Sequence, residues 1–308
     1  MDENDSQGLA GVSVPGKVWH RDMSSIPGLS LMWRSCKIEG LPAMWPGHHT
    51  KERSMKWLRF MHQGKVAFGT LEGELVHIHH GDMFGTPAPT GEVLPLAEVD
   101  GLAPCAPGKV VGLWNNFRAA AEKNGWAQPA EPLYFLKSPG SVIGHRQPIP
   151  VPASHDGRVA YEGELAVVIG RRARAVPLAE APAHIFGYCC ANDVTAIELL
   201  QRDPSFPQWT RAKSFDGFGA LGPFIDTDFD PAGAHLRTLV GGRERQNYPL
   251  SDMFFSPAEL VSRISHDMTL EPGDVILCGT SLGVLPMKPG TTVEVVIEGL
   301  GTLANTYG

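Results

Sequence analysis

Tyr161-Glu162-Gly163-Glu164-Leu165-Ala166-Val167-Val168-Ile169-Gly170 is the stretch on which the reading of this chain turns. Leu165 to Ile169 reads as a buried strand, yet two carboxylates open it. Side chains alternate across a strand, so Glu162 and Glu164 point to one face. Two like charges side by side on a sheet repel and destabilise it unless something cationic sits between them. A hard divalent cation such as Mg²⁺ or Ca²⁺, which prefers carboxylate oxygens, answers that need. Taken alone, the motif also describes an exposed strand end with both acids in water, which is the commoner situation.

The chain of 308 residues suits one large domain plus a smaller one. Its 43% hydrophobic and 19% charged residues are ordinary for a soluble globular protein. A net charge of −7 argues against a nucleic-acid or anionic-membrane partner, since both need a basic face. No stretch approaches the ~20 apolar residues of a membrane helix. Cys36, Cys105, Cys189, Cys190 and Cys278 form no Cys-x-x-Cys pair, and their odd number without a signal peptide fits reduced thiols in a cytoplasmic protein.

Residues 1–54 hold Gly, Pro, Ser and Trp without periodicity and read as a poorly ordered extension. A regular pattern opens at Met55, which makes it a candidate translation start. From there to about residue 104 short strands alternate with turns (57–60, 66–69, 75–78, with a hairpin turn at Glu72-Gly73), a small N-terminal β domain. His77, His79 and His80 fall in it as a partly exposed strand rather than a metal site. The larger domain, 105–308, is expected to hold strands at 110–114, 133–137, 162–169, 186–191, 221–225, 238–240, 275–278 and 292–297. Helices are expected at 117–123, 178–185, 194–201 and 257–264, the first ended by Asn124-Gly125. Strands predominate, which predicts a β-rich α+β architecture.

Further along lie pieces that a metal site would use. Asp193 stands where strand 186–191 hands over, and reads either as a helix cap or as a third acid converging on one ion. Three carboxylates leave coordination positions for water and a bidentate substrate. Lys213 precedes the glycine-rich run Phe215-Asp216-Gly217-Phe218-Gly219-Ala220-Leu221-Gly222-Pro223, and Gly279-Thr280 begins a second loop at a strand end. Glycines admit close approach of backbone amides to a ligand, and Lys213 has the charge to neutralise a carboxylate or enolate. Each loop alone is also a plain structural turn.

In order and spacing, the Tyr161–Gly170 motif, Gly187-Tyr188, Ala191-Asn192-Asp193-Val194-Thr195-Ala196, Lys213, the 215–223 run and Gly279-Thr280 resemble the fumarylacetoacetate hydrolase family over residues 109–308. Residues 55–100 resemble the small N-terminal domain of its bacterial members. The resemblance implies a mixed β-sandwich roll, usually homodimeric, with Mg²⁺ or Mn²⁺ held by Glu162, Glu164 and Asp193. It places Lys213, Thr280 and Gly279 against the substrate, a 2-oxo or 1,3-diketo acid whose 1-oxo-2-carboxylate end chelates the metal. Family chemistry spans acylpyruvate and fumarylacetoacetate hydrolysis, oxaloacetate decarboxylation, and isomerisation or decarboxylation in aromatic-compound catabolism.

Departures from the family pattern bear on the reaction. Hydrolytic members carry a water-activating His and a Glu three residues on. Here Glu122 is present, but the His position falls on Ala119 or Arg118, and Ile197 stands where hydrolytic members often have Arg. His145, in a Gly/Pro-rich loop, is a candidate substitute base, and Arg118 a candidate clamp for a second carboxylate. The family resemblance favours carbon–carbon bond hydrolysis, which stays the leading expectation, while the missing His favours decarboxylation or isomerisation, close behind. A catalytically weakened binding protein is the remaining alternative.

Overall fold

Strand Gly163–Ile169 is buried from end to end in the computed structural model, which describes residues 55–308. The expected extension over residues 1–54 lies outside the described residues. Leu165, Val167 and Ile169 enter one hydrophobic core, while Ala166 and Val168 enter a second core on the opposite face. A strand covered on both faces has no solvent side, which is why the run after Glu164 is apolar without interruption.

This strand lies inside a large mixed sheet. On one side it pairs antiparallel with Ile185–Asp193, followed by Gly219–Asp226 and then Lys56–His62. Lys65–Glu72, Leu75–His80 and Ala88–Pro95 continue the order outward. On its other side come Val275–Leu277, Val110–Trp114 and Leu133–Lys137, the first two parallel to each other. A second sheet, ordered Arg243–Pro249, His235–Val240, Thr291–Ile297, Gly301–Tyr307, packs on it. Leu236, Val295, Ile297 and Leu303 from that sheet share a core with Leu165, Val167 and Ala220, the interior of a β-sandwich. The N-terminal strands have a small core of their own in Leu58, Phe60, Val76 and Ile78. They nonetheless extend the large sheet, because Trp57 pairs with Ile225 across the junction.

Among the described residues the helices are few: α1 (Arg118–Asn124), α2 (Trp209–Lys213) and α3 (Pro257–Asp267). Gly125 closes α1 in the left-handed conformation, at φ 69°. Ser256 and Glu259 cap each other reciprocally at the start of α3.

Two expected helices are not formed. The segment 178–185 holds only a 3-10 turn, Ala181–His184, because Pro182 removes a donor inside the helical pattern. In 194–201, Thr195 and Ala196 pair as strand with Ala160 and Val159, and only a 3-10 turn, Ile197–Leu199, follows. Long-range strand pairing outweighs local propensity there, and Asp193 is a strand-end residue rather than a helix cap. Strands Ala88–Pro95, Arg243–Pro249 and Gly301–Tyr307 and helix α2 were not anticipated. The first two are sheet edges: Ala88–Pro95 is largely exposed and interrupted by Pro and Gly, and Arg243–Pro249 is polar, so neither shows a clear apolar alternation.

Candidate active site

Strand register brings the three acids together. The Asp193 N–H donates to the Glu162 carbonyl at 2.9 Å, and Glu164 lies opposite Ala191, two residues before Asp193. One oxygen from each of Glu162, Glu164 and Asp193 falls within 4.8 Å of the other two. Glu164 and Asp193 are wholly buried, whereas the Glu162 side chain keeps 17% of its surface open.

Backbone constraints hold this arrangement. Gly163, between the two glutamates, faces the second sheet, where a Cβ would stand 2.1 Å from Thr238 Oγ1. Its carbonyl accepts from the Tyr248 hydroxyl at 2.6 Å and from Thr280 Oγ1 at 2.9 Å. Gln246 Nε2 donates to Thr280 Oγ1 at 2.9 Å and fixes that hydroxyl. Gly279 takes φ 90°, a conformation that favours glycine, and its N–H donates to Glu164 Oε2 at 2.7 Å.

Two buried lysines complete the cluster. Lys213, the last residue of α2, donates to Glu162 Oε2 at 2.7 Å and to Asp193 Oδ2 at 2.6 Å. Lys137, the last residue of Leu133–Lys137, donates to Asp193 Oδ1 at 2.6 Å and to the Lys213 carbonyl. Three carboxylates against two ammonium groups leave one formal negative charge.

The electrostatics divide the acids. Burial raises the Glu164 pKa well above the usual carboxylate range, and the charges of Asp193 and Glu162 push the same way. Burial also raises Glu162, against the pull of Lys213. For Asp193 burial works upward too, but Lys137 and Lys213 together outweigh it and hold the carboxyl below its ordinary value. Burial disfavours the charged form of Lys213, yet Asp193, Glu162 and Glu164 hold its pKa above normal. Lys137 is lowered by burial, with Asp193 opposing.

The donor set fits a dication. Glu164 Oε1 is buried with no hydrogen-bond partner, a costly state for a carboxylate oxygen and one that a cation relieves. Hard oxygen donors and their spacing suit Mg²⁺ or Mn²⁺, and loss of the Glu164 proton on binding would supply the net negative charge. Lys213 competes for two of the same carboxylates, so it is a neighbour of any bound ion rather than a remote contact.

A cavity of about 360 Å³ opens onto Glu162, Lys213 and Thr280. Gly279 contributes its amide to Glu164. The other sequence candidates lie elsewhere. Glu122 is exposed, and α1 turns Ala120, Lys123 and Asn124 to the cavity instead. Arg118 donates to the Met253 carbonyl and stacks 5.1 Å from the Phe254 ring. His145 lines a different cavity, and its Nδ1 accepts from the Ala304 N–H at 3.0 Å. Sequence reasoning missed Lys137, whose one signal is a lysine ending the otherwise apolar strand Leu-Tyr-Phe-Leu-Lys.

Three carboxylates converging at adjoining strand ends of a two-layer β scaffold form a candidate divalent-metal site. The chain belongs to the fumarylacetoacetate hydrolase family. The family model described as Fumarylacetoacetate (FAA) hydrolase C-terminal matches residues 109–307, and the Rv2993c-like N-terminal model matches residues 55–104. Protein Rv2993c of Mycobacterium tuberculosis is 44% identical over 250 residues, spanning 78% of this chain and 93% of that protein. The structure of 2-hydroxyhepta-2,4-diene-1,7-dioate isomerase from Mycobacterium marinum superposes with a TM-score of 0.75 at 41% identity, over 82% of this chain and 98% of that one. The 4-hydroxyphenylacetate degradation bifunctional isomerase/decarboxylase of Salmonella dublin is 37% identical over 203 residues, 65% of this chain and 47% of that protein. Among the described residues no helix is long and apolar enough to cross a membrane.

Proposed function

We propose that this protein is a divalent-metal-dependent enzyme of 2-oxo or 1,3-diketo acids, isomerising or decarboxylating them through an enolate. The observation that carries the reading is the bare Oε1 of Glu164 inside a cluster of three acids that opens to a cavity. Glu162, Glu164 and Asp193 would hold Mg²⁺ or Mn²⁺, which supplies Lewis-acid polarisation of the 2-oxo group and offsets enolate charge. Lys213, kept protonated by its acidic neighbours, places a second positive charge at the cavity wall, where negative charge develops on the substrate oxygen. Thr280 lines the same wall, its hydroxyl proton committed to the Gly163 carbonyl, so it shapes the wall rather than donating to the substrate.

The cavity wall favours this chemistry over hydrolysis. Among the described residues lining it there is no histidine, and its sole carboxylate is the candidate ligand Glu162. Hydrolysis needs a base that activates water, whereas decarboxylation generates the enolate by releasing CO₂ and needs none, and isomerisation would pass the C3 proton to solvent in the cavity. The names of the Mycobacterium marinum and Salmonella dublin relatives support the same choice for this chain. Acetylpyruvate and oxaloacetate, each supplied with Mg²⁺ and followed by proton NMR, separate the readings. Metal-dependent keto–enol interconversion or CO₂ release is expected. Rapid formation of acetate and pyruvate from acetylpyruvate would replace it with hydrolysis. Metal binding without any turnover would make the chain a binding protein.

A further inference from the structure

One wall of the candidate active-site cavity is built from aromatic rings. Phe135 lies 5.1 Å from Lys213 Nζ, measured to the ring centroid. Trp209 stacks on Phe135 at 5.3 Å with an interplanar angle of 19°. Trp114 meets Trp209 edge-on at 6.2 Å and Trp126 at 4.9 Å. All four rings line the cavity that reaches Glu162 and Lys213. The series therefore runs from the ammonium beside the acids to Trp126, which is 41% exposed.

Charge on the same wall is sparse. Among the described residues that line the cavity, the ionisable ones are Glu162, Lys213 and Lys123. Lys213 is already shared by Glu162 and Asp193, and Lys123 stands exposed on the last turn of α1. A second carboxylate at the far end of a substrate would thus find no buried cation, and desolvating it against tryptophan would cost affinity. A flat uncharged group gains instead, through area burial and ring stacking.

We propose that the distal part of the substrate is a planar, uncharged aromatic or conjugated group, so that the enzyme takes aryl- or enone-bearing 2-oxo acids in preference to short 2-oxo dicarboxylates. This rests on the metal-chelation reading above, with the 2-oxo acid end at Glu162, Glu164 and Asp193 and the tail along Trp209, Trp114 and Trp126.

The test is calorimetric titration of the Mg²⁺-loaded full chain, with tryptophan fluorescence quenching as a second readout. Three ligands are used: oxalate, 2-oxoglutarate and phenylpyruvate, the two 2-oxo acids brought to keto–enol equilibrium beforehand. Phenylpyruvate is expected to bind at least about tenfold more tightly than 2-oxoglutarate, the scale of one added aromatic contact, and to quench fluorescence more strongly. Trp209→Ala and Trp126→Ala should each weaken phenylpyruvate several-fold while oxalate, which has no tail, keeps its affinity, and Trp209→Phe should retain most of the phenylpyruvate binding. Tighter binding of 2-oxoglutarate, or equal losses for oxalate and phenylpyruvate in Trp126→Ala, would overturn the inference and leave chelation standing. Failure of oxalate to bind the Mg²⁺-loaded protein would overturn the chelation reading, and the inference with it.

Discussion

The N–H of Gly279 donates to one oxygen of Glu164 at 2.7 Å and leaves the other oxygen, equally buried, without a partner. Neutralising that side chain tests both halves of the relationship. Glu164→Gln is expected to fold and to match or exceed the thermal stability of the metal-free parent, since it removes a carboxylate crowded by Glu162 and Asp193. Addition of Mg²⁺ should raise the melting temperature of the parent and not that of the variant. Equal metal-induced shifts in a thermal scan would remove Glu164 from the ligand set.

The raised pKa of Glu164 makes metal binding proton-linked. In the folded, metal-free protein Glu164 keeps its proton above the pH at which an unfolded carboxyl loses it. Its contribution to stability is therefore complete below the ordinary carboxylate pKa and is lost as pH rises through the folded value. A cation must displace that proton, so affinity for Mg²⁺ should rise with pH across the same window. Calorimetry in two buffers of different ionisation enthalpy should report proton release, and buffer-independent heats would contradict the assignment.

Lys137 and Asp193 form an ion pair with both side chains fully buried, at 2.6 Å. Lys137→Met strips Asp193 Oδ1 and the Lys213 carbonyl of a donor and should cost about 3–5 kcal/mol in urea unfolding. The exposed Arg158–Glu198 pair makes the control, because Arg158→Ala should cost no more than about 1 kcal/mol.

Gly163→Ala drives a methyl group against Thr238 and pries the acid-bearing strand from the second sheet. Overpacking of this kind costs about 1–3 kcal/mol, and metal affinity should fall with it because Glu162 and Glu164 shift together. Truncating the obstacle, Gly163→Ala with Thr238→Ala, should recover part of both losses. An alanine at 163 with unchanged stability and affinity would refute the close-packing account.

Glu122→Gln and His145→Ala should leave metal-dependent turnover within about twofold of the parent in steady-state kinetics, since neither side chain lines the cavity that reaches Glu162. A large loss in either would restore a water-activating role and, with it, hydrolysis.

Much of this site was legible because it is written in alternation. Glu162 and Glu164 share a face by strand period alone, and the apolar run that follows announces a central strand. Asp193 was ambiguous, since a carboxylate after a strand is also a good helix cap. Pairing of Thr195 with Ala160 decided the matter, and a contact 35 residues away leaves no local trace. Lys137 was hidden for the opposite reason. A lysine at a strand end is ordinarily solvated, and only the tertiary placement of α2 over it makes it a buried partner of Asp193. Edge strand Arg243–Pro249, polar along its exposed face, escaped notice although its Gln246 and Tyr248 steady Thr280 and Gly163.

Glu162, Glu164 and Asp193 are expected to share a single dication. Anomalous diffraction from a crystal soaked in Mn²⁺ and oxalate tests it directly. One strong peak is expected within about 2.0–2.6 Å of an oxygen from each of the three side chains. A peak bound elsewhere, or no peak while Lys213 keeps its contacts to Glu162 and Asp193, would contradict it.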